Sequence, residues 1–467
     1  MTTLATSIPL RGRDTASIPA GVVRPSSDST ERSAPGLGLV LAVNCVPEDA
    51  DPGVAAFWRA LSAALAARGI QLVIASTAPL NDPDLQVIDI PFHVTGFAER
   101  YRTRSGGQAS VPESAVKDVA RWYGCAHGEA ALGLSLATEF FTDLLLTLRP
   151  SAVLGWQSVN PLTRALRQCA RAADLPFWSG ERGWVRNTLM FDMGENNALG
   201  EVNLSLACAS LRDRFAPSSQ TLTALAARAR GAADLGRYRA QERISGPALR
   251  AKLGIPAAAR VVALFAHGEP SLNALDNATQ RQFHDLSGEL LQERLDAVTD
   301  ELLARGAWLI VQEHPFNRSN GKTMRLKKSP RVIGVEENVS SVLDAADHYL
   351  FTLATLQFDA AFLDKSFGLL TRSALYRAGE PPLISDYVDV RGFLDAVMDT
   401  AAWPQRSARL RRDIAFQYEN FLLDIEPGAV DASAQRWSAH LAQLVRRVDG
   451  GLDERVDRFL GKWAVVG

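Results

Sequence analysis

The sequence has little of three residue types that often carry chemistry: four cysteines, seven histidines and five methionines among 467 residues. Cys45, Cys125, Cys169 and Cys208 form no CxxC pair. A chain of this length buries a large core without staples, so the four read as reduced, mostly buried residues of a reducing compartment. An excess of one charge is missing too. Fifty Lys and Arg against 52 Asp and Glu leave a formal net charge of −2, which points away from nucleic acid as a general partner. No run approaches the ~18 apolar residues of a membrane span. No basic stretch precedes a long apolar one near the start, so no secretory signal and a cytoplasmic location are expected. No internal repeat is found.

What is present is alternation. Residues 1–35, rich in Ser, Thr, Pro, Arg and Gly, read as a flexible tail. Gly36–Asn44 is a continuous apolar run, expected of a strand buried on both faces. Helical spacing over Val54–Arg68, a stop at Gly69 and a second buried strand at Ile70–Ala75 imply a parallel crossover. Further strands are predicted at Leu85–Ile90, Ala152–Trp156 and Pro176–Trp178, with helix over most of Val111–Leu148 and over Pro161–Ala173. A second series begins at Arg260–Ala266 and continues through strands at Ala307–Gln312, Val332–Gly334, His348–Phe351 and Phe367–Leu370. Two successive open α/β units are therefore expected: an acceptor-side unit over 36–235, a nucleotide-binding unit over 236–430, and terminal helices over 431–467. Ligands of such sheets bind beyond the carboxyl ends of the strands.

The suggestive residues fall at those ends. Glu313-His314-Pro315 follows a buried strand, where His314 can donate to a phosphate. Ser179-Gly180-Glu181-Arg182-Gly183 follows Trp178, and its carboxylate could take a proton or act as a nucleophile. Asp192, Gly194, Asn196 and Asn197 cluster shortly after. His267 and Gly268 follow the first strand of the second series, in a turn that fits neither GxGxxG nor a P-loop but could cradle phosphate. Thr352 and Thr355 precede a helix carrying Asp359, and Tyr376-Arg377 follows a strand further on. Each pattern also has a bland reading as a turn, a cap or a surface ion pair.

In motif order over roughly residues 150–385, the chain resembles bacterial capsule polysaccharide biosynthesis proteins, the group that holds the Kdo transferases. The resemblance is carried by Glu181-x-Gly183, Asp192, Gly194-x-Asn196, His314-Pro315, Thr352 with Thr355, Asp359, and Tyr376 near Gly379. Bacterial sialyltransferases of GT-B fold are similar in their acid-acid-Gly loop, His-Pro and hydroxyl pair. Departures are Ala354 for a serine, Asp359 for a glutamate and Arg182 for a second loop acid.

The resemblance implies a GT-B α/β fold, two Rossmann-like doubly wound domains facing a central cleft. It implies transfer of Kdo or a related acidic sugar from a CMP donor to a surface polysaccharide or glycolipid. His314 would meet the donor phosphate with Thr352 and Thr355, and His267 and Gly268 would line the pocket. Glu181 would be the general base, or Glu181 or Asp192 a nucleophile if configuration is retained. Arg182 or Arg377 would pair with the donor's carboxylate. No metal and no other cofactor are expected. Rival expectations are a polyol-phosphate transferase, a UDP-sugar epimerase, or a non-catalytic assembly subunit. The segment Leu452–Trp463, apolar on one helical face, is expected either to pack on its own domain or to touch the inner membrane.

Overall fold

The computed structural model describes residues 38–45, 52–77, 82, 84–91, 93–103, 109–158, 160–193, 211–231, 242–266, 288–314, 324–352, 354–371, 384, 389–446 and 451–463. The predicted tail, 1–35, lies outside them.

The first unit opens with β1 (Gly38–Val43), α1 (Pro52–Ala66), β2 (Ile70–Ser76), β3 (Gln86–Asp89) and α2 (Val94–Tyr101). It continues with α3 (Glu113–Tyr123), α4 (His127–Leu148), β4 (Ala152–Trp156), α5 (Pro161–Ala172) and a hairpin of β5 (Phe177–Arg182) and β6 (Thr188–Asp192). The segment expected as one long helical stretch is two helices, because Gly124 takes a left-handed φ of 63° and ends α3. The apolar runs become strands because every residue of β1 is buried, alternate side chains going to opposite faces. Leu39, Leu41 and Val43 face a core with α2 to α5; Val40 and Ala42 face one with α1.

The second unit contains α6 (Ser219–Gly231), α7 (Gly246–Lys252), β7 (Val261–Ala266), α8 (Gly288–Ala304), β8 (Trp308–Glu313) and β9 (Val332–Val335). It goes on with α9 (Val339–Ala345), β10 (His348–Phe351), α10 (Leu356–Ala360), β11 (Phe367–Leu369), α11 (Val390–Met398) and α12 (Trp403–Asn420). Its first strand divides in the same way: Val261, Ala263 and Phe265 enter one core, Val262, Leu264 and Ala266 the other. The chain then returns to the first unit as β12 (Leu422–Asp424), α13 (Val430–Ala442) and α14 (Leu452–Trp463). β12 pairs antiparallel with β6, α13 packs on α1, and α14 packs on α4.

The first sheet runs β12-β6-β5-β4-β1-β2-β3, parallel from β5 to β3, and the second runs β11-β10-β7-β8-β9, parallel throughout. Both parallel bodies share one winding. The opening strand (β1 or β7) is central, the next two lie on one side, and the fourth and fifth on the other. This is the doubly wound Rossmann order, and its switch points lie between β1 and β4 and between β7 and β10. The two units make the predicted α/β fold of GT-B type.

One sequence expectation needs correction. By length and composition α4 is apolar enough to cross a membrane, yet more than half of its apolar stretch is buried inside the protein. Its apolarity has a local cause: α2, α3, α5 and α14 all pack against it. Most of the apolar face of α14 is spent on this contact, with Leu460 left exposed. Leu452, Val456, Phe459 and Trp463 are buried there, and Trp463 Nε1 donates to Asp143 at 3.0 Å.

Candidate active site

In the second unit, two of the predicted residues flank the carboxyl end of the central strand. The His314 N–H donates to the carbonyl of Ala266 at 3.1 Å, and the Thr352 N–H donates to that of Phe265 at 3.3 Å. His314 therefore stands where β8 leaves β7, and Thr352 at the switch point between β7 and β10. His314 is half-buried and Thr352 fully buried. Glu313 ends β8, is buried, and accepts from the Met324 N–H at 2.8 Å.

Thr355 occupies the N-cap position of α10, but in helical conformation (φ −60°, ψ −23°), and its side chain makes no capping bond. It is exposed. The helix it opens is five residues long, shorter than the Leu356–Leu363 stretch its sequence suggests. Asp359 points to the first unit instead of to solvent, with Arg186 at 3.8 Å. Burial pushes its carboxyl up to about 7, against the lowering pull of Arg186 and Arg228.

In the first unit, Glu181 and Arg182 are not in a turn after Trp178. They extend β5 to its carboxyl end, paired with Met190 and Leu189 of β6. Glu181 is half-buried, and one of its carboxylate oxygens accepts the Arg182 N–H at 2.9 Å. Asp192, expected in a turn, is the last residue of β6 and lies opposite Ser179. Directly paired residues of an antiparallel ribbon share a face, so Glu181 and Asp192 lie on one face as diagonal neighbours, about 7–8 Å apart by ordinary sheet geometry. Asp192 is buried and exerts its charge on Arg167 of α5. Gly183 turns the chain after Arg182; an added Cβ would stand 2.0 Å from Thr188 Oγ1. His267, Gly268, Pro315, Asn196, Asn197, Tyr376 and Arg377 lie outside the described residues.

Sequence reasoning missed Asn44 and Gln157. They follow β1 and β4, the switch-point strands of the first sheet, and both have left-handed φ angles, 54° and 59°. Such a backbone costs a non-glycine residue roughly 1–3 kcal/mol and collects at ligand sites. Asn44 donates its N–H to Ala75 O at 2.7 Å and accepts from Thr77 Oγ1 at 2.9 Å; Gln157 donates its N–H to Gly180 O at 2.8 Å. For Asn44 the signal was available: a residue tolerant of left-handed backbone ends an apolar strand. Gln157 carried no such signal.

The tip of the β5–β6 hairpin touches the second unit. Trp184, three residues beyond Glu181, stacks on Phe358 with ring centres 5.6 Å apart and planes 15° apart. Phe358 lies three residues beyond Thr355 on α10. The hairpin that carries Glu181 and Asp192 is thus anchored at its tip on the short helix that follows Thr355. Among the described residues, no group of three or more His, Cys, Asp or Glu side chains could hold a metal ion.

No family model and no curated protein matches the chain. Solved structures do. α,α-Trehalose 6-phosphate synthase from Burkholderia multivorans is similar at 13% identity and a TM-score of 0.44, over 89% of this chain and 100% of that one. UDP-GlcNAc 2-epimerase from Methanocaldococcus jannaschii, solved with UDP-GlcNAc and UDP, is similar at 14% identity and a TM-score of 0.40, over 87% and 100%. The β-Kdo 2,4 transferase KpsC from Thermosulfurimonas dismutans is similar at 18% identity and a TM-score of 0.35, over 49% and 75%. At these identities and TM-scores the likenesses assign neither a donor nor a reaction to the chain.

Proposed function

We propose that the protein is a cytoplasmic glycosyltransferase that takes Kdo or a related acidic sugar from a CMP donor and passes it to a surface polysaccharide or glycolipid acceptor. What supports this reading is the placement of Glu181 at the carboxyl end of β5 and of His314 with Thr352 at the carboxyl end of β7, in two sheets joined at the hairpin tip. Open α/β sheets bind ligands at such edges, and a transferase needs an acid–base group on one side of a leaving phosphate and hydrogen-bond donors on the other.

In the proposed step Glu181 takes the proton of an acceptor hydroxyl. The hydroxyl oxygen forms a bond to the anomeric carbon as the bond from that carbon to the phosphate oxygen breaks, and CMP leaves with the electron pair. His314 and the exposed Thr355 meet the charge that develops on the phosphate. Arg182, at the same edge as Glu181, would pair with the sugar carboxylate, since a guanidinium fork matches that group. The proposed chemistry uses no metal, its charges being met by these side chains.

Thermal-shift binding of CMP, CDP, UDP and GDP to the purified protein and to a His314→Ala variant tests this. The expected result is selective stabilisation by CMP that the variant loses. Selective stabilisation by UDP instead would replace the acidic-sugar donor with a UDP-sugar and bring the epimerase rival forward. A wild-type protein that responds to none of the four would count against a nucleotide donor.

A further inference from the structure

The hairpin turn between β5 and β6 is gripped from the second unit and from the returning chain. Trp184 and Val185 are buried, 6% and 5% exposed, in the core of the second unit. Trp184 stacks on Phe358, and Arg186 reaches Asp359 on the same short helix. Arg228 of α6 donates to the carbonyl of Arg186 at 3.0 Å and pairs with Asp424 at 2.7 Å and Glu426 at 3.0 Å. Asn187, with a left-handed φ of 55°, donates from its side chain to Glu426 at 3.1 Å, and its carbonyl accepts the Ile425 N–H at 2.9 Å.

A helix of five residues has no stability of its own, because nucleating a single turn costs more than its few hydrogen bonds return. The position of α10 is therefore set by what it rests on, and two consecutive residues of it rest on the hairpin tip. We propose that Trp184 and Arg186 are positioning residues. Through Phe358 and Asp359 they fix Thr355, which opens that helix, relative to Glu181, without touching a ligand themselves. The value of that placement for catalysis rests on the proposed transfer reaction; the mechanical link between hairpin and helix does not.

The test uses the full-length protein and the variants Trp184→Leu, Arg186→Met, Arg186→Lys and Asp359→Asn. Amide hydrogen exchange over 354–361 reads the link directly. Trp184→Leu and Arg186→Met should each speed exchange there about tenfold or more, leaving β1 and β4 unchanged, and Arg186→Lys should recover most of the protection. Unchanged exchange over 354–361 in both disruptive variants overturns the proposal.

A pH series reads the docking of α10 a second way. The charged groups around this segment are Arg186 from the hairpin, Arg228 from α6 and, at its far end, Arg411 of α12, whose Nε donates to Ala361 O at 2.8 Å. Docked, the Asp359 carboxyl keeps its proton up to about 7, whereas in solvent it would release it near its ordinary 3.8, so docking weakens as pH rises toward 7 and levels off above it. Exchange over 354–361, corrected for intrinsic rates, should rise from pH 6 to pH 8 in the wild type and stay flat in Asp359→Asn. A flat wild-type profile counts against the proposal.

Calorimetric titration with CMP then separates the two readings. Wild-type binding that weakens fivefold or more in Arg186→Met supports both. Wild-type binding unchanged in Arg186→Met and Trp184→Leu sinks the positioning role alone. Absence of wild-type binding sinks the CMP reading, and the exchange result still decides the link.

Discussion

Asp359 lies within reach of two guanidinium groups, those of Arg186 and Arg228, yet its carboxyl is pushed up to about 7, because burial outweighs both positive charges. The sign of the consequence follows from proton binding. Between its ordinary value of 3.8 and about 7 the folded state holds a proton that the unfolded state releases, so this group's contribution to stability is full at low pH and is lost as pH rises through 7. Asp359→Asn removes that loss. Its melting temperature relative to wild type should climb between pH 5 and pH 8, by an amount of the order of a few kcal/mol in stability. A pH-independent difference would show that the carboxyl titrates normally. Gly183 makes a second residue-scale case. Its missing side chain admits Thr188 Oγ1 and the Leu422 side chain, so Gly183→Ala must open the turn where β5, β6 and β12 meet. A loss of about 1–3 kcal/mol is expected by chemical denaturation, the usual cost of overpacking.

At the scale of elements, the apolar length of α4 is explained by its neighbours. Phe140 of α4 meets Phe459 and Trp463 of α14 edge-on, with ring centres 5.0 and 4.8 Å apart. Phe459 is fully buried, so Phe459→Ala should cost roughly 3–5 kcal/mol, measured as a shift in the urea midpoint. A loss under about 1 kcal/mol would mean that α14 is not docked in solution. The hairpin β5–β6 shows where sequence reading stops at this scale. Glu181 and Asp192 were legible as acids near a strand end, but the strand was read only to Trp178, since Ser179-Gly180 looks like a turn. Gly180 is a strand residue because the Phe191 ring occupies the space of its missing Cβ, within 2.6 Å, a fact of pairing that no window of the chain contains.

At the scale of the whole molecule, the chain visits the first unit, builds the second, and returns. β12 is the edge strand of the first sheet and is paired with β6, while α13 covers α1. A chain cut after Asn420 loses the strand, α13 and α14 together. It should therefore expose the apolar faces of α1 and α4 and aggregate or unfold in the first unit, with proteolysis within 38–193 as the measure. A truncated protein with a protease-resistant first unit would show that the return is dispensable.

What the sequence determined by itself is the local part: two runs of alternating strands and helices, and the chemistry placed at the strand ends. Periodicity and apolar run length belong to contiguous residues, so β10 and α14 are legible to the residue, and His314 and Thr352 are legible as strand-end groups. Only the tertiary structure decided which groups face one another. Arg186 meets Asp359, Trp184 meets Phe358, and Leu422–Asp424 completes a sheet begun at Gly38. Those partners are far apart in the chain, and their meeting depends on how two sheets pack, which no local pattern encodes.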